Sequence, residues 1–358
     1  MPLATSSNRY LKKLAAITFI GIGCTTAHAQ TSGTNVTFYG RVSAGVDYQT
    51  NVAKPDGSTG SLLRAAGNQW GTSMFGFKGS EDLGDGLSAL FLLESGFDAT
   101  NGTTNGSALF NRRSYVGLNG AAGSIKLGKN LSISNDVWYI DPSGQQFMSS
   151  ATLVHGRNWQ GVNNVIEYQT PTWGGFNATL QTGLGEQVGS LTKSRKDGIS
   201  LVYSNSAVEL RAIYDTARDP NGKFVNVYDT SKELILGGVW TIDKLRLFAG
   251  YENLSAPDAP TNAPDKVNHY WLGANYQITP ALTLIGSVFR VNANNGGGNA
   301  NLLMGGVTYS LSKRTMLYAS LGTVRNSSNA NFSVEATDNS PLPGKSQSGG
   351  YVGVVHNF

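Results

Sequence analysis

The strongest constraint on this chain is a two-residue alternation of apolar and polar side chains. It recurs from residue 36 to the last residue, and after residue 30 no run of 18 apolar residues interrupts it. In VTFYGRVSAGVDY, Val36, Phe38, Val42, Ala44, Val46 and Tyr48 fall on one face of an extended strand, with Thr37, Arg41, Ser43 and Asp47 on the other. VELRAIYD sets Val208, Leu210, Ala212 and Tyr214 against Glu209, Arg211 and Asp215, and LRLFAGYE sets Leu245, Leu247, Ala249 and Tyr251 against Arg246, Phe248 and Glu252. Such segments read as half-buried strands. About sixteen are predicted, the first over 36–49, the second over 69–79 and the last over 349–358.

The connections alternate in length. EDLGDG, NGAAG, TWGG, SNSA, ID, TPA and LSKR are short, whereas NVAKPDGSTGSLLRAAGN, ATNGTTNGSA, ARDPNGKFVNVYDT, SAPDAPTNAPDK and RNSSNANFSVEATDNSPLPGKSQS are long and polar. Tight turns at one end and long loops at the other are expected of an outer-membrane barrel with periplasmic turns and external loops. A sheet with one face in lipid must pair every backbone N–H and C=O internally, so it must close. Sixteen strands leave an aqueous channel. The expected fold is therefore all-β, a 16-stranded antiparallel transmembrane β-barrel.

The two ends of the sequence agree with export and closure. Arg9, Lys12 and Lys13, the apolar LAAITFIGIG and the small-x-small Ala27-His28-Ala29 read as a secretory signal peptide over 1–29, cleaved before Gln30. Residues 30–358 are then a single barrel domain. The one cysteine, Cys24, lies in the leader, and Gly21 stands where a lipobox prefers Leu. Disulfides and thiolate metal sites are thereby excluded. Three of the positive charges behind the formal +4 also belong to the leader, so the remainder is near neutral and no nucleic-acid partner is predicted. The last residues, YVGVVHNF, place Val352, Val354, His356 and Phe358 on one face, so Phe358 is the candidate closure and assembly residue at the lipid-facing rim.

Composition supports this class. The chain has 45 Gly, 15 Tyr, 14 Phe and 6 Trp in 358 residues, and 14% charged residues, against about 25% in ordinary globular domains.

The connection LSISNDVWYIDPSGQQFMSSATLVHGRNWQG, within 130–161, is the longest. A loop of this length is usually functional or disordered, and Trp138, Tyr139, Phe147, Leu153, Val154 and Trp159 make it too apolar for a solvated tail. It is expected to fold into the barrel and narrow it; the alternative is an external loop packed on neighbours. Parity turns Arg41, Lys78, Arg113 and Lys126 inward, and the loop offers Asp136 and Asp141. A basic wall facing an acidic loop would set a transverse field across the constriction.

These residues resemble a known family. VTFYGRVSAGV, FGFKGSEDLGDGLSALFLLESGF, LFNRRSYVGLNGAAGSIKLGK, NNVIEYQTPTWGGFNATL, LSKRTMLYASLG and VGVVHNF together are similar to the general porins of Gram-negative outer membranes, in the neisserial and β-proteobacterial branch. The resemblance implies a homotrimer in outer-membrane lipid, with the third loop in the pore, passing small hydrophilic solutes and inorganic ions passively. It places Lys78, Arg112, Arg113 and Lys129 at the family's basic positions, with either Arg112 or Arg113 toward the lumen. It also exposes departures. Met74 stands where relatives often carry an arginine. Gly161 stands where another is common, with Arg157 four residues earlier. Arg41 and Ser43 replace an apolar residue and an aspartate.

Other functions find little support. A hydrolase needs a nucleophile or activated water with a base, and outside the leader there are three histidines: His155 in the loop, His269 at a loop edge and His356 on the lipid-facing parity. No metal or cofactor is expected, and VNANNGGGNANLL reads as a flexible loop because no helix follows it. Phe248 and Trp271 face inward but are too scattered to form an aromatic track. The expectation is a passive general-diffusion porin, not an enzyme, with weak anion preference from Lys78, Arg112, Arg113 and Lys126. A substrate-specific channel is the alternative, and a barrel plugged by its own loop is a third possibility.

Overall fold

The computed structural model describes residues 35–104, 106–144, 146–336 and 339–358. The leader expected over 1–29 lies outside them. The described residues form one antiparallel sheet of seventeen segments. The first six are β1 (Asn35–Ala53), β2 (Thr59–Gly67), β3 (Ser73–Gly84), β4 (Leu87–Phe97), β5 (Arg113–Gly120) and β6 (Gly123–Leu131). The next six are β7 (Gly161–Gln169), β8 (Phe176–Gly183), β9 (Lys196–Ser204), β10 (Val208–Ala217), β11 (Lys232–Ile242) and β12 (Leu245–Ser255). The last are β13 (Lys266–Gln277), β14 (Leu282–Ala293), β15 (Gly298–Ser310), β16 (Thr315–Asn326) and β17 (Gln347–Asn357).

Seventeen segments make sixteen staves, because β2 and β3 are one stave interrupted at residues 68–72. β3 pairs with the first part of β1, from Asn35↔Ser80 to Arg41↔Met74, and β2 pairs with the second part, from Ala44↔Gly67 onward. Sequence patterning started this stave at residue 69 and read Thr59–Gly67 as external loop. Its Lys54, Pro55 and Asp56 are in fact confined to the turn after Ala53, and Leu63 projects outward beyond it. Where the stave breaks, side chains replace the ladder. Ser73 Oγ accepts from the Ser43 N–H at 3.0 Å and donates to the Ser43 carbonyl at 3.2 Å. Asn68 donates its own N–H to the same carbonyl, and its Oδ1 accepts the Ser73 N–H.

The wall closes between β1 and β17, from Arg41↔Asn357 to Gln49↔Gly349. Phe358 extends the closure: its N–H donates to the Gly40 carbonyl at 3.0 Å and its own carbonyl accepts the Gly40 N–H at 3.1 Å. Its ring packs on Phe38, which also contacts Phe77. Alternation sorts the two faces as the sequence indicated. Val42, Val46, Tyr48, Val352 and Val354 are exposed outward, while Ser43, Asp47, Gln49, Tyr351 and Val355 are buried inward. Exposed aromatics gather near the short-turn end of the outer face, among them Trp173, Phe176, Trp240, Tyr276 and Tyr309. They mark the interfacial girdle of a membrane barrel.

The core lies inside the barrel. The segment Ser132–Gln160 packs Ile133, Val137, Ile140, Met148, Leu153 and Val154 against inner-face residues of β10 to β17, including Ile213, Phe248, Trp271, Phe289, Leu302 and Tyr318. Glycine makes room for this packing: a Cβ at Gly250 would lie 2.0 Å from the Trp271 ring, and one at Gly273 2.5 Å from Pro142. On this side the strands are apolar toward lipid and largely apolar toward the loop, with Asp215, Glu233 and Glu252 buried among the inner residues.

Ser73→Ala removes the hydroxyl that closes the gap in the second stave and leaves the buried N–H of Ser43 without its partner, while the Ser43 carbonyl keeps the Asn68 N–H. The expected cost is about 1–3 kcal/mol, read as a lower urea midpoint of the folded barrel in detergent.

Candidate functional site

Register brings the charged side chains of the first staves together. Glu94 on β4 pairs with Arg113 on β5, and Lys126 on β6 pairs with Glu167 on β7. Arg112 Nε donates to Glu94 at 2.8 Å, Arg113 Nη1 to the same carboxylate at 3.1 Å, and the Tyr39 hydroxyl at 2.9 Å. Both arginines therefore face the lumen, because Arg112 lies just before the strand and turns back onto Glu94. Lys126 Nζ lies 2.7 Å from Glu167 and over the Tyr115 ring, and Lys78 lies over the Tyr39 ring. Arg41 donates to the Thr72 carbonyl in the stave break, at 3.1 Å. Five cationic side chains thus share one wall with two carboxylates. Lys129 is on the other parity and meets Asn163 at 2.5 Å.

Arg41 also stands directly opposite Met74 across the β1–β3 pair. The arginine that the family pattern leads one to expect at position 74 is missing, and Arg41 supplies a cation from the neighbouring strand. At position 161 a lysine stands near instead: Lys196 Nζ donates to the Gly161 carbonyl at 3.2 Å.

The long segment Ser132–Gln160 faces this wall. It runs through three 3-10 turns, Ile133–Tyr139, Thr152–Val154 and Arg157–Trp159. Its boundaries fall just inside the expected 130–161, because Asn130 and Leu131 still belong to β6. It is tied down at several points. Arg157 reaches Asp215 at 2.7 Å and Glu233 at 2.8 Å, and donates Nε to Ser231 Oγ at 2.9 Å. The Trp271 indole donates to the Ile140 carbonyl at 2.9 Å. The Phe147 N–H donates to the Gln69 carbonyl in the stave break, and the Tyr351 hydroxyl to Gln146. A segment touching inner-face residues from β10 to β17 and the break in the second stave lies inside the barrel.

The geometry corrects two residues expected at the pore. Asp141 is 2% exposed; its Oδ1 accepts from Ser143 and its Oδ2 accepts the Ser150 N–H. It closes a turn of the loop rather than facing the lumen. Arg157 is 1% exposed and serves as the anchor just described. Asp136, by contrast, is 41% exposed and 3.3 Å from Arg211. The surrounding protein pushes its carboxyl above the ordinary value by desolvation, Arg211 draws it down, and Glu167, Arg113 and Lys126 also act on it. The basic wall and the acidic turn are therefore within electrostatic reach of each other.

The histidines lie where the sequence suggests, and two of them are packed: His269, near the start of β13, is fully buried with Nδ1 3.0 Å from Glu252. His155 stacks on Phe332 and meets Tyr228 edge-on. Pattern reading also missed the last long connection, which is not wholly external. Phe332, Val334 and Ala336 are buried, and the Ala336 N–H donates to the Phe147 carbonyl at 2.7 Å. Arg64 holds the same segment to the wall, 2.8 Å from Asp47 and 3.5 Å from Glu335. The alternation F-S-V-E-A was its one available sign.

A closed barrel, apolar outside and charged within, with a loop seated in its lumen, defines a channel protein of the outer membrane. A family model for Gram-negative porins matches residues 14–330, and the chain belongs to that family. An outer membrane porin protein of Bordetella pertussis is 29% identical over 349 residues, covering 82% of this chain and 89% of the relative. Outer membrane porin protein 32 of Delftia acidovorans is 29% identical, covering 93% and 95%. Among solved structures, an anion-selective porin from Comamonas acidovorans superposes with a TM-score of 0.78 at 25% identity, over 91% of this chain and all of that one.

Arg157→Ala strands Asp215 and Glu233 in the interior without their countercharge. Breaking a buried pair in this way costs about 3–5 kcal/mol. The expected outcome is a barrel that still assembles but unfolds at a lower urea concentration, with noisier open-channel current as the loop loosens.

Proposed function

We propose that the protein is a passive, general-diffusion porin with a weak preference for anions. One observation carries this reading: Arg41, Lys78, Arg112, Arg113 and Lys126 line one side of the lumen, with Glu94 and Glu167 among them. Opposite, Asp136 and Glu209 are matched largely against Arg211. The surplus on the basic wall raises the local concentration of anions and lowers that of cations. The effect is moderate at physiological salt, where the Debye length is about 8 Å. The Ser132–Gln160 loop narrows the passage and sets the size limit, and inorganic ions and small hydrophilic solutes cross without a binding cycle. The selectivity stated for the Comamonas protein supports the sign.

The same reading includes a homotrimer, as the resemblance implies, and a role for the Phe358 ring as the point at which the closing strand is recognised during assembly. Deleting Phe358 is then expected to lower the yield of folded barrel in the outer membrane.

The deciding measurement is single-channel current of the purified protein in a planar bilayer under a tenfold KCl gradient. Current rising in groups of three, with a reversal potential toward chloride, is the expected result. A potential directed toward potassium, or no ohmic current, overturns it. Glu94→Gln removes a negative charge from the wall and frees Arg112 and Arg113, so its reversal potential should move further toward chloride. Arg113→Gln should move it back.

A further inference from the structure

Two aromatic rings of the inner loop remain uncovered. In the turn Ile133–Tyr139 the side chains of Ile133, Ser134 and Val137 are buried, whereas Trp138 is 47% and Tyr139 39% exposed. Since the buried face is set against the barrel wall, the exposed face looks into the lumen. The two rings are 4.4 Å apart at 47°, close enough to form one shelf. The Arg211 guanidinium lies 3.9 Å from the centre of the Tyr139 ring and braces it. Arg211 is in turn held by Glu209 at 2.6 Å and Asp136 at 3.3 Å, so its charge is balanced on the spot.

Across the lumen the charge is not balanced in this way. The wall carries its surplus of cations, and Arg113 is near enough for its charge to act on both Asp136 and Tyr139. One side of the passage therefore offers a π surface and the other offers guanidinium and ammonium donors. Chloride uses only the second, and a sugar has no charge to place there. A small molecule with an aromatic ring and a carboxylate uses both at once.

The geometry points to aromatic monocarboxylates, of the benzoate and phenylacetate class, as solutes held in transit, with the ring on Trp138 and Tyr139 and the carboxylate toward Arg113, Arg112 and Lys126. This rests on the open, anion-biased pore proposed above. The channel is then a general porin with one preferred class of organic anion.

The test is block of KCl current in planar bilayers by benzoate and, separately, by acetate, which shares the carboxylate and lacks the ring. Benzoate is expected to reach half-block at about one tenth of the acetate concentration. Trp138→Ala should bring that ratio close to one, and Trp138→Phe should restore most of it. The ratio is read within each variant, so a change in pore width alone does not move it. Equal block by the two anions in the unaltered protein overturns the proposal, as does a ratio that survives Trp138→Ala. The reversal potential recorded on the same channels separates the two readings. If it is directed toward chloride while the anions block equally, the aromatic shelf alone is refuted. If it is directed toward potassium, the basic-wall reading falls and takes this one with it.

Discussion

Everything in this structure depends on the backbone ladder being closed. In hydrocarbon an unpaired N–H or C=O has no water to turn to, so each stave must be matched on both sides around the full circuit. The β1–β17 pairing, finished by the exchange between Gly40 and Phe358, completes that circuit. The break between β2 and β3 shows how strict the requirement is. There the Ser73 hydroxyl and the Asn68 amide take over the missing backbone partners, and the freed carbonyls of Gln69 and Thr72 turn to the loop and to Arg41.

Closure creates an inside, and the inside is divided. The staves from β10 to β17 present mainly apolar side chains inward, with Asp215, Glu233 and Glu252 buried among them, and the loop is mounted on them through Trp271, Arg157 and a shared hydrophobic cluster. The staves from β1 to β7 present charge, paired by register into Glu94 with the two arginines and Lys126 with Glu167. The lumen lies between a structural half and an electrostatic half. The last long connection reinforces the former by reaching down to the loop at Phe147.

Much of this could be read before any coordinates. Alternation identified the strands and their two faces because a strand has a strict period of two, and on that basis it turned Arg41, Lys78, Arg113 and Lys126 inward. It failed where that period was interrupted or did not apply. The stave break hid Thr59–Gly67, since its flanking Pro and Gly suggested a loop. Asp141 and Arg157 sit in irregular backbone, where parity has no meaning, and only their hydrogen-bond partners reveal that they hold the loop rather than face the channel. The exposure of Trp138 and Tyr139 was hidden for the same reason. Their apolar character was read as packing, and it took the buried positions of Ile133 and Val137 to show which side of the turn was left over.

The division of the interior has a consequence for how such a channel can change over generations. The main anchors of the loop, Arg157 with Asp215 and Glu233 and Trp271 with Ile140, are different side chains from the cations of β1 to β6. A mutation that moves a charge on β3 leaves the Arg157 and Trp271 anchors of the loop untouched. The pairing of Arg41 with Met74 is such a move in place, a positive charge carried by one strand where the family pattern puts it on the next. Lineages sharing this architecture are free to retune which solutes they favour by shuffling a few residues on one side, while the other side preserves the fold that makes retuning harmless.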